Sequence, residues 1–398
     1  MKTFFKVIAA AVSFITVVSL IGCNSVASTD STAPALENSV SLNDSVKETV
    51  VDTETKEESS DTAKDFILIN ANGIVEESKR AAAAEGIYMP DPIMNGAPAG
   101  TYPIQGFILS ASTPSDEFGN GMSIVYRLSD GSLFVFDGGS GTVKYMLYKC
   151  LKDLSGGGKI KIAAWVMTHA HGDHYGAAYD LLNSVYNQDF EIQEFWYNRA
   201  SNTADANGAG GHLQTLFNNV AKGDTKIRVL EYGKTYTLDG GRVSAKVLCT
   251  PAVVAGRSGL DENTNSLVLM LTIGGKKLLM TGDANEAAWG YMVDQHNKSS
   301  EYSLKCDYLQ MPHHAVHAAG TTAAYNAASP SYVIIPSTTG LARELCTSSN
   351  ANPTYNFLRN KMGINPQSLS SQVGSNYCYA GNYTQSGTKN VVCFFTEK

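Results

Sequence analysis

The stretch Thr168-His169-Ala170-His171-Gly172-Asp173-His174, directly after the apolar run Ile162 to Met167, sets the strongest limit on what this chain can be. Four potential metal ligands fall within six residues. On an extended chain alternate side chains share a face, so His169 and His171 point the same way. A turn at Gly172 can then bring Asp173 and His174 round to a neighbouring position. Imidazole nitrogen and carboxylate oxygen are donors that zinc and manganese accept. The bland alternative is a polar loop that happens to be histidine-rich. The chain has eight histidines, however, and six of them lie here and at 313–317. That clustering argues for two adjacent metal ions.

The rest of the chain divides into three parts. Lys2 and Lys6 precede the apolar run Val7 to Leu20, with small residues before Cys23, which reads as a secretory signal over residues 1–23. Leu20-Ile21-Gly22-Cys23 resembles a bacterial lipobox. The resemblance implies cleavage before Cys23 and its diacylation, and hence a lipid-anchored protein on the outer face of the cytoplasmic membrane. An uncleaved membrane anchor is the alternative, but the run is short for a bilayer span and ends at once in polar sequence. Residues 24–64 carry nine acids against three lysines and hardly an aromatic. Such a segment cannot bury enough apolar surface to fold and reads as a solvated stalk.

Residues 65–398 read as one domain. With 43% hydrophobic content the chain has enough apolar sequence for a single α/β core of this size. The domain holds 28 acids and 25 bases, a net charge of −3, so bulk charge does not favour a nucleic-acid surface. Strand-like runs occur at 122–128, 132–136, 161–167, 243–249, 266–273, 277–281, 307–311, 331–335 and 390–395. Helical patterns lie at 143–154, 175–185, 212–220, 284–296 and 354–362. Mixed elements in this order indicate a layered α/β architecture. Six cysteines besides Cys23 show no CxxC spacing. Export permits disulfides, for which Cys346, Cys378 and Cys393 are the loop-like candidates, while Cys249 and Cys306 sit in strand-like runs as buried thiols.

The HxHxDH pattern after a strand resembles the signature of the metallo-β-lactamase superfamily, and the rest of the chain agrees in order. Gly121 to Tyr126 followed by Ser132 to Phe136 and Asp137-Gly138-Gly139 resembles the family's opening hairpin and Asp-Gly-Gly turn. Lys277 to Gly282 and Asp283 resembles the strand that delivers a metal-bridging aspartate. Asp307 to Pro312, His313 and His314 resembles the strand and double histidine of the ComEC-type branch, which includes competence-protein hydrolase domains and a choline-phosphate esterase of cell-wall polymers. Asn265-Ser266-Leu267 and Asn352-Pro353 also resemble that branch, and both asparagines are expected to cap or turn the backbone. The resemblance implies an αββα sandwich and a metal-dependent hydrolase holding two zinc ions, or manganese. Its ligands would be His169 and His171 on one ion, Asp173, His174 and a histidine at 313 or 314, assigned to His313, on the other, and Asp283 between them.

Two departures bear on substrate. The lactamases and lactone hydrolases of the superfamily use a further histidine between the signature and the bridging aspartate. Here the one candidate is His212, which opens a helical pattern and reads as an exposed or capping residue. Ala315-Val316-His317 stands where the branch has Gly-Ser, which puts that loop's usual substrate contacts in doubt. The catalytic set expected from the resemblance is Asp173 and Asp283 with His314 and His317. The two histidines would stand near the metals either to protonate a leaving group or to brace a ligand. Expected substrates are small or wall-linked phosphoesters, with nucleic acid less favoured. A β-lactamase or lactonase and a catalytically silent binding protein are the competing readings.

Overall fold

Each long apolar run has two faces to bury, one against a second sheet and one against helices, and this makes the chain fold in layers. The computed structural model describes residues 97–111, 121–200, 213, 218, 224–257, 261–316, 319–338, 352–365, 369, 372–381 and 391–397, all within the unit Ser59–Lys398. In chain order the strands are β1 (Gln105–Leu109), β2 (Ile124–Arg127), β3 (Leu133–Phe136), β4 (Ile160–Met167), β5 (Phe190–Ile192), β6 (Glu194–Tyr197), β7 (Lys226–Arg228), β8 (Thr235–Leu238), β9 (Val243–Cys249), β10 (Val268–Ile273), β11 (Lys276–Met280), β12 (Tyr308–Gln310), β13 (Tyr332–Ile335), β14 (Tyr377–Tyr379) and β15 (Val391–Thr396). One sheet runs β15-β1-β2-β3-β4-β6-β7, with β5 also on β4, and the other β14-β13-β12-β11-β10-β9-β8. Within the first, β3, β4, β6 and β7 are parallel; within the second, β11 to β14 are parallel.

The inner faces meet in a core of Ile108, Tyr126, Phe134, Phe136, Val166 and Trp196 from the first sheet against Leu269, Leu271, Leu278, Met280 and Ile334 from the second. Helices α1 (Lys144–Leu154) and α2 (Gly172–Leu182) cover the outer face of the first sheet, placing Leu147, Leu151, Ala177 and Leu181 on Val135, Trp165 and Met167. On the second sheet, after the short α3 (Pro251–Val254), α4 (Glu286–Lys298) and α5 (Thr322–Ala328) set Trp289, Met292 and Tyr325 on Leu279, Leu309 and Val333. The layers make an αββα sandwich, the architecture that the resemblance implies. Burying each large apolar side chain in these layers stabilises by roughly 1.5–3 kcal/mol.

All strands expected from the sequence form, most within a residue or two of the expected ends. The short strands β1, β5, β6, β7, β8 and β14 were not expected, because runs of three to five residues carry little periodicity. The signature helix begins at Gly172 rather than Tyr175, so Asp173 and His174 belong to its first turn. Asn352 does cap α6 (Pro353–Asn356): its Oδ1 accepts the N–H groups of Thr354 and Tyr355 at 2.9 and 3.3 Å. Asn265 sits in the single turn Asn263–Asn265. Cys378 and Cys393 are not in loops; they lie in β14 and β15 as free thiols, like Cys249 and Cys306. Cys346, His212, His317, the signal and the stalk lie outside the described residues, as does most of the expected helix 212–220.

Candidate metal centre

Parallel strands end on one side of the sandwich, and their C-terminal ends deliver the ligand candidates. After β4 the chain bends at His169 and Ala170, His171 takes the N-cap position of α2 with an extended backbone, and Asp173 falls in the first turn, where the helix dipole favours a carboxylate. After β11, Gly282 turns the chain at φ +53, and a Cβ there would meet Thr168 Cβ at 2.9 Å. Only glycine lets the two sheets' loops approach this closely. Asp283 follows, 1% exposed.

After β12 the chain enters the left-handed region at three successive residues, His313 (φ 46), His314 (φ 55) and Ala315 (φ 66). Such conformations cost energy in non-glycine residues and persist where surroundings fix them. Here the Ser337 hydroxyl donates to the His314 carbonyl, and Val316 N–H donates to the His313 carbonyl at 2.8 Å. The turn swings His314 inward until it is fully buried and leaves the His313 side chain 31% exposed at the rim. Of the two histidines that the sequence leaves open, with His313 assigned, the ligand candidate from this loop is His314. His314 Nε2 lies 3.3 Å from Asp283 Oδ2 and 3.2 Å from Asp173 Oδ2, whereas His313 Nε2 stands 3.9 Å from Asp283.

Two donor groups result. Asp173, His174, Asp283 and His314 form one, and His169, His171 and Asp283 the other, so Asp283 belongs to both. Outer partners fix the histidines. His174 Nδ1 donates to Asp137 Oδ2 at 2.8 Å, and His314 Nδ1 to the Pro336 carbonyl at 2.8 Å. Thr168 Oγ1 gives its proton to Asp137 and accepts from His169 Nδ1 at 3.1 Å. With every Nδ1 so engaged, the Nε2 lone pairs of all three turn toward Asp283.

The donors fit divalent cations on two observations. Asp283 Oδ1 is buried with no hydrogen-bond partner, a costly arrangement unless a cation takes it up. The Nε2 atoms of His174 and His314 face each other at 3.1 Å, where two lone pairs repel unless something positive lies between or beside them. Electrostatics agree. Burial alone would raise the carboxyl pKa of Asp283, but the imidazoles of His174 and His314 outweigh it and hold it well below the usual range; Asp173 is lowered in the same way. Burial likewise opposes charge on His174 and His314, yet Asp283 and its neighbouring carboxylates raise the first well above its usual value and the second to about 9. The field that holds protons at these nitrogens also attracts a metal ion. His169, buried and facing His174, is held well below its usual range and stays neutral, as a ligand must.

Sequence reasoning passed over the residues that fix the ligands. Asp137 was seen as part of a turn only, yet at φ 54 its buried carboxylate binds the Thr168 N–H, the Thr168 hydroxyl and His174. Gln310 lies within the strand-like run 307–311, which says nothing of its side chain. Its amide accepts Thr281 N–H at 2.7 Å and donates to the Gly282 carbonyl at 2.9 Å, fixing the turn before Asp283. The Asp-Gly-Gly sequence was a signal for the first, and nothing local signalled the second.

The metallo-beta-lactamase superfamily profile matches residues 116–318, just over half of the chain and every ligand candidate. The chain belongs to the metallo-beta-lactamase superfamily. No curated protein sequence matches it. Among solved structures it is similar to the metallo-beta-lactamase fold protein YhfI of Bacillus subtilis, at 12% identity over 58% of this chain and 85% of that one, TM-score 0.38. It is also similar to unliganded yeast PDE1, at 12% identity over 74% and 100%, TM-score 0.43. A third likeness is to Zn(2+)-bound PqqB of Methylobacterium extorquens, at 11% identity over 52% and 71%, TM-score 0.32. These likenesses concern the fold.

Proposed function

We propose that the chain is a dinuclear metal-dependent hydrolase of phosphoesters, diesters above all, held by lipid on Cys23 at the outer face of a bacterial cytoplasmic membrane. The observation that carries this reading is the Asp283 carboxylate, common to two donor groups that together offer three buried imidazoles, His171 and Asp173. His169, His171 and Asp283 would hold one ion, and Asp173, His174, His314 and Asp283 the other. When bound, two such ions supply Lewis acidity and a nucleophile drawn from water at neutral pH, a combination suited to in-line attack at phosphorus. The chain's own part is to hold the donors. Asp137 and the Pro336 carbonyl fix imidazole orientation, and His313 lies at the rim with its Nε2 3.9 Å from Asp283 Oδ2.

Zinc is the ion favoured for this mixed nitrogen and oxygen set, with manganese the alternative. The phosphoester assignment draws on the ComEC-type residues around His313 and His314 and on the reading of His212, from sequence, as a cap or exposed residue rather than the further ligand of the lactamases. Small or wall-linked esters rank above long DNA because phosphate tracking needs several bases at once and the domain carries a net charge of −3. A complete donor set weighs against a silent binding protein. A screen of the full chain in detergent with zinc or manganese, covering aryl phosphodiesters, choline-phosphate esters, DNA, β-lactams and lactones, decides the matter. Phosphoester turnover that a chelator removes is expected, and turnover of β-lactams or lactones with no phosphoester cleaved would overturn the reading.

The anchor has its own test. Two acyl chains give stable membrane attachment, so wild-type protein should incorporate labelled fatty acid and sediment with membranes. Cys23→Ala should take up no label. Failure of the wild-type chain to label refutes lipidation.

A further inference from the structure

The segment Glu262–Leu267 touches both ligand-bearing loops. Leu267 N–H donates to the Thr168 carbonyl at 2.8 Å, and Asp283 N–H donates to Ser266 Oγ at 3.0 Å. Between them in function is Glu262, only 2% exposed, whose Oε1 accepts the N–H of Ala170 at 3.2 Å. Ala170 is the residue between His169 and His171 and is itself 1% exposed; the chain bends at His169 and Ala170 before His171 opens α2, so the course of that bend sets where the two imidazoles point. A buried N–H of this kind needs an acceptor. No strand ladder supplies one, because β4 ends at Met167.

We propose that Glu262 is a positioning residue: by accepting the Ala170 N–H it sets His169 and His171 against Asp283 and so forms the first metal position. The second position has other supports, namely Asp137 on His174 and the Pro336 carbonyl on His314. Loss of Glu262 therefore strikes one ion more than the other. What matters is the reach of an acceptor oxygen to Ala170, not the charge. The inference rests on the reading of this cluster as a dinuclear centre.

Three variants of the full chain separate reach from charge. Glu262→Gln keeps the length and a carbonyl oxygen but no charge, Glu262→Asp keeps the charge but withdraws the oxygen, and Glu262→Ala removes both. Cobalt(II) titration followed by its visible spectrum, against a competing chelator, reads the two binding steps without any substrate. Glu262→Gln should bind as wild type does. Glu262→Asp and Glu262→Ala should weaken one step by roughly 10–100-fold, the usual effect of removing a partner that orients ligands, and leave the other near wild type. If Glu262→Ala does not fold, the contrast between Gln and Asp still decides. Wild-type binding of Glu262→Asp with impaired Glu262→Gln, or equal loss in both steps, overturns the positioning role alone. A wild-type chain that binds no cobalt overturns the dinuclear reading with it.

Discussion

Asp283→Ala is expected to lose turnover by on the order of 10³-fold or more, while the protein stays folded. Among the described residues Asp283 is the one ligand candidate common to both donor groups. The Asp283 backbone N–H keeps its bond to Ser266 Oγ in the variant, and β11 is secured on both sides, by β10 and β12. The raised pKa values of His174 and His314 arise chiefly from Asp283 acting against burial, so without it the imidazoles can lose their protons and remain buried as neutral groups. A second consequence is thermal. A ligand present at 100 times its Kd stabilises a protein by about 2.7 kcal/mol, so zinc should raise the melting temperature of wild type and leave that of Asp283→Ala nearly unchanged. Near-native activity in the variant would remove the bridging role.

The parts of this centre that could be read from sequence are those whose spacing is local. His169, His171, Asp173 and His174 lie within six residues behind a strand, and a strand end followed by a helix start accounts for all four. Asp283 follows an apolar strand and a glycine, a local pattern too. The supports are different in kind. Glu262 meets Ala170 across 92 residues, Asp137 meets His174 across 37, and Gln310 meets Thr281 across 29. Such pairs depend on how strand ends converge, which no one-dimensional pattern encodes. The same limit applies to the fold. Runs that bury both faces, such as β4 and β10, are plain in composition, whereas β5, β7 and β8 hold partly exposed residues and become strands through their neighbours in the sheet. Cys378 was misplaced for that reason, since sheet pairing buried it in β14, whereas Cys393 lies in β15, a strand that the run 390–395 does predict.

The double histidine shows how a backbone conformation invisible in sequence changes a chemical assignment. Had the chain continued extended past β12, His313 and His314 would point to opposite sides, and either could have been the ligand. Three successive left-handed residues decide it, tied by Ser337 to the His314 carbonyl and by the Pro336 carbonyl to its Nδ1. His314 thereby faces Asp173 and Asp283 at 3.2 and 3.3 Å with no exposure, and His313 faces the opening. Expected results follow for the pair of alanine variants. His314→Ala should retain about one metal per chain instead of two after desalting and lose activity by on the order of 10²–10³-fold, since the group of Asp173, His174, Asp283 and His314 loses one of its buried imidazoles. His313→Ala should keep both metals, so any loss it shows must appear in kcat or KM with the metal content intact. Elemental analysis of the two purified variants beside wild type reads the difference directly. Two metals in His314→Ala and one in His313→Ala would reverse the assignment and mean that the left-handed turn does not persist in the loaded protein.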